Sequence, residues 1–138
     1  MLHILVHRPS LGVSELSTVE EAREAAKDPG AVLWVDFDCR SAESDSILGQ
    51  VFGFHPLAIE DVYKEGHNPK VEDYERYLYI VVQALVRDSD WDLADIHLIE
   101  VDLFIGKNFV VTHHAGALSA IDAVRAPTLA AGKNHMAR

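Results

Sequence analysis

The stretch that decides the fold is Phe52–Glu72, which reads FGFHPLAIEDVYKEGHNPKVE. Within it, His55-Pro56 predicts a helix start, because proline fits the first helical position, where its missing N–H group costs nothing. Apolar side chains follow at helical spacing and are predicted to supply the buried side of this helix: Leu57, Ile59, Val62 and Tyr63. The stretch therefore predicts a short helix that carries two adjacent acids, Glu60 and Asp61.

The chain before this stretch predicts two strands and two helices. Leu2–Val6 is apolar with β-branched residues and predicts a strand, which a proline- and glycine-containing break follows. Capping-box pairs within Ser17–Glu21 predict the start of a helix that ends at Lys27. The continuous apolar run Ala31–Phe37 is typical of a central strand that is covered on both faces. Ser41–Gly53 then combines cap residues with helical spacing and predicts a short amphipathic helix.

The chain after this stretch predicts three strands. Tyr77–Val86 is rich in β-branched and aromatic residues, and Ile96–Ile105 and Phe109–His113 form the two arms of a hairpin. The phase of the apolar residues changes at Leu98-Ile99, which predicts a β-bulge at that position. Two strands joined by a short hairpin argue against a purely parallel sheet, so we expect a mixed sheet.

The register of the predicted hairpin depends on its turn. A three-residue connection centred on Lys107 would place Val101 opposite His113. In that register His97 lies four residues further along its strand, so the hairpin would contain no cluster of metal ligands. His113 and His114 are then interpreted as residues of a strand end or loop.

These elements predict one α/β domain, with α/β/α layers around a mixed parallel and antiparallel sheet. Residues 87–92 predict a polar turn, and Ala115–Ala131 predicts a final helix that Pro127 interrupts. The predicted domain therefore covers residues 1–131, and residues 132–138, which have little apolar content, predict a frayed tail.

Composition excludes several classes of protein. The chain has 138 residues with 22 acids against 12 bases, and the net charge of −10 argues against a nucleic-acid partner. A single cysteine, Cys39, cannot form an internal disulfide. No apolar run approaches the roughly 18–20 residues that span a bilayer, so the chain taken alone is expected to be water-soluble.

Glu60 and Asp61 are the main candidates for chemistry. Their carboxylate oxygens suit hard cations such as Mg²⁺ or Ca²⁺. Adjacent helical residues point about 100° apart, so the two acids form a poor bidentate pair. A cation site here would need further ligands from another segment, another chain or water, and the alternative is a solvated helix face.

Other candidate sites are weaker. His3 and His7 have the spacing of a zinc-hydrolase motif, but they lie in a predicted strand and no glutamate follows His3. Asp36 and Asp38 alternate at a strand end, where capping of the following segment is the simpler role. No glycine-rich phosphate loop or Gly-x-Ser-x-Gly motif is present, and the chain is not expected to be an enzyme.

Three blocks of the sequence, in the same order, resemble the amino-terminal cytosolic domain of CorA-type divalent-cation transporters. They are Gly53–Val62, Asn68–Tyr74 and Glu100–Thr112, and the resemblance extends over about Val32–His114. Histidine-proline-leucine with a following acid pair, and then Pro-Lys-Val-Glu, is a fairly specific combination. The resemblance implies an α/β/α module at the membrane-distal end of a homopentameric channel for Mg²⁺, Co²⁺ or a related divalent ion.

The resemblance also implies a role for the acid pair. Regulatory cation sites in the family lie between neighbouring cytosolic domains, and Glu60 and Asp61 look like the acids that contribute there, with Asp61 the stronger candidate. It further implies that the regulatory ligand is Mg²⁺ or another divalent cation. The partners would be copies of the same chain at the cytoplasmic face of the cell membrane.

The stalk helix, the two membrane helices and the Gly-Met-Asn pore signature of that family do not occur in this sequence. We therefore expect that this chain does not conduct ions and contacts the membrane only through those missing C-terminal helices. Two alternatives stay open: a zinc-transporting relative with the same fold, and a soluble metal-dependent hydrolase. The hydrolase requires one pocket that contains four carboxylates, those of Asp36, Asp38, Glu60 and Asp61.

Overall fold

A computed structural model describes residues 1–87, 94, 96–116 and 118–131, and a seven-stranded mixed sheet lies at its centre. The strand bounds are β1 Leu2–Arg8, β2 Gly12–Leu16, β3 Val32–Phe37, β4 Lys70–Asp73, β5 Tyr77–Arg87, β6 Ile96–Gly106 and β7 Phe109–His114. The strand order in the sheet is β2-β1-β3-β7-β6-β5-β4. β3 and β7 pair in parallel, and the other neighbouring strands pair antiparallel.

Local capping explains where the helices begin. The Thr18 hydroxyl accepts a hydrogen bond from the Glu21 amide, which confirms the predicted start of the first helix. Ser41 caps the second helix with a capping box, and His55 Nδ1 accepts from the Leu57 amide at the start of the third. The helix bounds are α1 Val19–Lys27, α2 Ala42–Ser46 with a π-helical continuation Ile47–Val51, α3 Pro56–Val62 and α4 Ser119–Ala131.

The two faces of the sheet are covered by different helices. Side chains of β3 alternate, so Leu33, Val35 and Phe37 join the main core beneath α1, α2 and α3. Trp34 and Asp36 point to the opposite face, where Arg125 of α4 contacts Asp36. The predicted α/β/α layers around a mixed sheet are therefore confirmed.

Several local predictions are wrong. No strand was expected after the first break, but β2 pairs with β1 and forms an edge of the sheet. The bulge is absent, because β5 and β6 pair without interruption from Ile96 to Gly106. The prediction assumed that Leu98 is buried, but its side chain is 58% exposed, so the change of apolar phase does not mark a bulge. Leu57 was assigned to the buried side of α3, yet it is 61% exposed, and Ala58 is buried instead.

The hairpin turn is shorter than predicted, and this shift changes the pairing. Ile105 lies opposite Val110, so two residues rather than three connect β6 and β7, and Asp102 rather than Val101 lies opposite His113. Gly106 permits this tight connection, since a Cβ there would lie 2.3 Å from the Phe109 ring. A shift of one residue exchanges the two faces of a strand, so Asp102 and His113 share a face.

Some predictions lie outside the described residues. Residues 88–92 of the predicted polar turn and the predicted tail at 132–138 belong to this part of the chain. The domain boundary at residue 131 therefore stays a prediction. Among the helices that the structure describes, none is long and apolar enough to cross a membrane.

Candidate functional site

The predicted acid pair lies in the last turn of α3, at the surface. The Glu60 side chain is 54% exposed and pairs with Lys64 one turn later on the chain. Asp61 is 26% exposed and contacts a different lysine, Lys70 of β4. The two carboxylates therefore face different partners, as adjacent helical residues must, and they do not converge on one point.

Asp61 faces nitrogen atoms of two side chains, Lys70 and His67. Its Oδ2 accepts a hydrogen bond from Lys70 Nζ at 3.0 Å, and its Oδ1 lies 3.6 Å from His67 Nε2. The Lys70 ammonium also contacts Glu72, two residues further along β4. Hydrogen bonds to Glu72 and then to Asp61 raise the pKa of Lys70, so this side chain is a fully charged cation at neutral pH.

The loop that follows α3 is fixed to the sheet by Glu100 of β6. Glu100 Oε2 accepts hydrogen bonds from the amides of Gly66 and His67, both at 3.2 Å. Glu100 Oε1 lies 3.0 Å from His67 Nδ1. Gly66 has φ +85°, a left-handed conformation that glycine adopts without strain. The ring of His67 is therefore held between Glu100 and Asp61.

A cleft of about 490 Å³ lies beside this loop, and a buried aspartate forms part of its wall. Asp102 is 2% exposed; it accepts a hydrogen bond from the Tyr79 hydroxyl at 2.6 Å and lies 3.2 Å from His113 Nδ1. Burial raises the pKa of Tyr79, so its hydroxyl stays protonated and donates. The Asp102 carboxylate is therefore already satisfied within the protein.

A second buried aspartate lies on the opposite face of the sheet. Asp36 accepts a hydrogen bond from the Thr112 hydroxyl at 2.6 Å, and it lies 3.0 Å from His114 Nε2 and 3.3 Å from Arg125 Nη1. His114 Nδ1 lies 2.7 Å from the carbonyl oxygen of Gly116. Both ring nitrogens thus face acceptors, an arrangement that favours the protonated imidazole, in which both nitrogens donate. The hydrogen bond to Asp36 raises the pKa of His114 accordingly.

The positions of the four predicted carboxylates do not support the hydrolase hypothesis. Asp36 lies on the α4 side of the sheet, whereas Glu60 and Asp61 lie on the side of α3. Asp38 instead contacts the amino-terminal ammonium group. The described residues contain no group of three or more histidine, cysteine, aspartate or glutamate side chains that could hold a metal ion. Glu60 and Asp61 as metal ligands stay a prediction.

Sequence reasoning missed both buried clusters. His113 and His114 were interpreted as edge or loop residues, yet each contacts a buried aspartate. A usable signal was present, because Asp36 and Asp102 each interrupt an apolar run, and a buried carboxylate requires a partner. The partners lie on another strand, so their identity depends on the register.

Comparison with known proteins identifies the family. The family model described as CorA-like Mg²⁺ transporter protein matches residues 29–136. The YfjQ protein of Bacillus subtilis is 37% identical over 92 residues, which are 67% of this chain and 27% of that protein. The cobalt/magnesium transport protein CorA of Thermotoga maritima is 33% identical over 78 residues, which are 56% of this chain and 22% of that protein.

A solved structure supports the fold. The soluble domain of CorA from Methanocaldococcus jannaschii aligns with a TM-score of 0.63 and 20% identity, over 95% of this chain and 47% of that chain. The chain spans only about a quarter of the length of the two curated relatives. The matched family is a family of transporters rather than of enzymes, and this chain belongs to the CorA-like Mg²⁺ transporter family.

Proposed function

We propose that this chain is the cytoplasmic regulatory domain of a CorA-like divalent-cation transporter. In this proposal Asp61, with Glu60 beside it, supplies one half of a cation site, and a neighbouring copy in a homopentamer supplies the other half. The observation that carries the proposal is the position of Asp61 at the surface end of α3, where the flexible side chain of Lys70 neutralises its carboxylate.

The chemistry of the ligands supports a hard cation. Mg²⁺ takes oxygen ligands in a near-octahedral arrangement and retains several waters, so one or two carboxylates per protein surface are sufficient. Structural zinc sites instead use cysteine and histidine in a closed tetrahedron. Glu60 and Asp61 offer carboxylate oxygens, which favour Mg²⁺ over the zinc alternative.

The charge of the domain gives the bound cation a mechanical role. Each copy carries a formal net charge of −10, so neighbouring copies repel one another. A cation held between Asp61 and acids of the next copy would screen that repulsion and stabilise the closed arrangement. Loss of the cation would then shift the population towards a looser, open arrangement, since the cation binds the two states with different affinity.

Paramagnetic broadening by Mn²⁺ tests whether Asp61 binds a cation. Mn²⁺ prefers the same oxygen ligands as Mg²⁺, and it broadens the amide signals of nearby residues. The proposal predicts selective broadening of the amides of residues 60–62 in the 138-residue chain. Asp61→Asn should remove most of that broadening, because a neutral amide oxygen is a much weaker ligand.

A matched control variant distinguishes binding at Asp61 from non-specific binding of Mn²⁺ to surface carboxylates. Glu24 Oε1 lies 3.2 Å from Lys27 Nζ on the surface of α1. Glu24 is therefore a surface carboxylate that contacts a lysine, as Asp61 does. Glu24→Gln should leave the broadening at residues 60–62 unchanged. Equal broadening at Glu24 and Asp61, or broadening at residues 60–62 that survives in Asp61→Asn, would contradict the proposal.

A further inference from the structure

The Lys70 ammonium lies between two carboxylates beside the proposed cation ligand. Its Nζ is 3.0 Å from Asp61 Oδ2 and also contacts Glu72 Oε1. Strand pairing places Lys70 opposite Val81, whose side chain belongs to the core beneath α1, α2 and α3. Lys70 therefore extends on the helix side of the sheet, and its charged end reaches the last turn of α3.

We propose that Lys70 is a tethered competitor of the divalent cation: its ammonium occupies Asp61 in the absence of the cation and must leave before Mg²⁺ can bind there. This inference rests on the proposed function, because it takes Asp61 as a cation ligand. It adds a residue that sets the cation concentration to which the site responds.

The geometry favours competition rather than joint binding. A lysine ammonium is a compact point charge on a flexible stem, and here it bridges Asp61 and Glu72 as a small cation would. Mg²⁺ requires oxygen ligands at about 2.1 Å in a near-ideal octahedron. An ammonium that donates to the same carboxylate would lie close enough to the Mg²⁺ ion to repel it strongly. The ammonium and the Mg²⁺ ion therefore exclude one another.

Lys70 differs from the lysine beside the other acid of the pair. Lys64 and Glu60 form an ordinary solvated pair one helical turn apart, in which both side chains are more than half exposed. Lys70 is 31% exposed, touches two carboxylates and has its Nζ 5.4 Å from the centre of the Tyr79 ring. Lys64 therefore provides a control with the same charge and nearly the same location.

Lys70 balances the charge of two carboxylates when no divalent cation is bound. Asp61 and Glu72 are two carboxylates bridged by one ammonium, so without Lys70 they would repel one another. Lys70 thereby stabilises the site in its cation-free form. The same interaction lowers the apparent affinity for Mg²⁺, because the cation must displace a neutralising partner that cannot diffuse away.

A Mg²⁺ titration of the 138-residue chain, followed by the amide shift of Asp61, measures this competition. Lys70→Gln should tighten the apparent dissociation constant roughly three- to tenfold, because the competing charge is removed. Lys64→Gln and Lys27→Gln remove the same charge and should change it less than about twofold. Lys70→Arg keeps a cation at Asp61 and should bind Mg²⁺ no more tightly than the unmodified chain.

Three outcomes overturn the proposal. Lys70→Gln without tighter binding, Lys70→Gln equal in effect to Lys27→Gln, or tighter binding by Lys70→Arg would each show that Lys70 does not compete. The double variant Lys70→Gln/Asp61→Asn should lose the gain. If Asp61→Asn weakens Mg²⁺ binding while Lys70→Gln has no effect, the competition fails and the proposed function stands. If Asp61→Asn has no effect, the proposed function fails.

Discussion

Asp36 and Asp61 each contact a cationic side chain, but Asp36 lies in the interior and Asp61 lies at the surface. Asp36 is 2% exposed, and three donors from β7 and α4 converge on it. Asp61 is 26% exposed and shares its lysine with another carboxylate. Both groups are carboxylates that face nitrogen donors, but only Asp61 is open to water.

This difference in exposure shows why burial decides which carboxylate can bind a cation from solution. A buried carboxylate cannot exchange its partner without leaving an uncompensated charge in the interior. Asp36 therefore keeps its contact with Arg125 of α4. A surface pair contributes little to stability, so its partner can be exchanged at small cost. Asp61 is therefore the carboxylate that can change partners while the fold stays intact.

The largest expected effect follows removal of the buried charge at Asp36. Asp36→Asn should lower the free energy of unfolding by about 3–5 kcal/mol, because His114 and Arg125 lose their common counterion in the interior. Urea unfolding at mildly acidic pH, where His114 is charged, measures this loss. A change below about 1 kcal/mol would show that the cluster is not structural.

A smaller loss is expected for Tyr79→Phe, which leaves Asp102 without its hydroxyl donor. The buried carboxylate oxygen then lacks a partner, at a cost of about 1–3 kcal/mol. Tyr74→Phe is the matched control, because its hydroxyl donates to the surface residue Glu72. Equal losses for the two variants in urea unfolding would contradict the distinction between buried and surface carboxylates.

The stability should also depend on pH through His114. Its pKa is raised in the folded protein above the ordinary value of 6.5, so its contribution is complete below that pH and is lost as pH rises through the folded pKa. Unfolding free energies measured from mildly acidic to alkaline pH should therefore fall over that window. His114→Gln should flatten this part of the profile, and an unchanged slope in that variant would refute the assignment.

The smallest effect is expected at the surface acid. Asp61→Asn should change the free energy of unfolding by less than about 1 kcal/mol, because its ion pair with Lys70 lies at the surface and is screened by water. Thermal unfolding of the Asp61→Asn and Asp36→Asn variants, measured under the same conditions, compares the two losses. A loss as large as that of Asp36→Asn would mean that Asp61 is a structural residue rather than an available ligand.

Local signals in the sequence predicted the parts of the site that lie within one element. His55-Pro56 marked the start of α3, and the adjacency of Glu60 and Asp61 was sufficient to show that they form a poor bidentate pair for a cation. Those inferences needed only helix geometry. The partner of Asp61 was harder to predict, because Lys70 reaches it from a strand beyond the loop.

Contacts between strands were missed because they depend on register. A turn centred on Lys107 placed Val101 opposite His113, and the two-residue connection places Asp102 there instead. This shift of one residue moved an aspartate to the face of the histidine and created a buried pair that no single strand reveals. Length of the turn, which sequence composition specifies poorly, was the deciding variable.

The carboxyl carbon signals of the aspartates, followed during a Mg²⁺ titration of the ¹³C-labelled chain, show which carboxylate binds a dissolved cation. We expect the Asp61 signal to move and saturate while the signals of Asp36 and Asp102 stay fixed, because the buried carboxylates cannot exchange their partners and Asp61 can. Asp122, an exposed acid paired with Arg125, is the surface reference. An unmoved Asp61 signal, or one that moves no further than that of Asp122, would mean that Asp61 is not an available cation ligand.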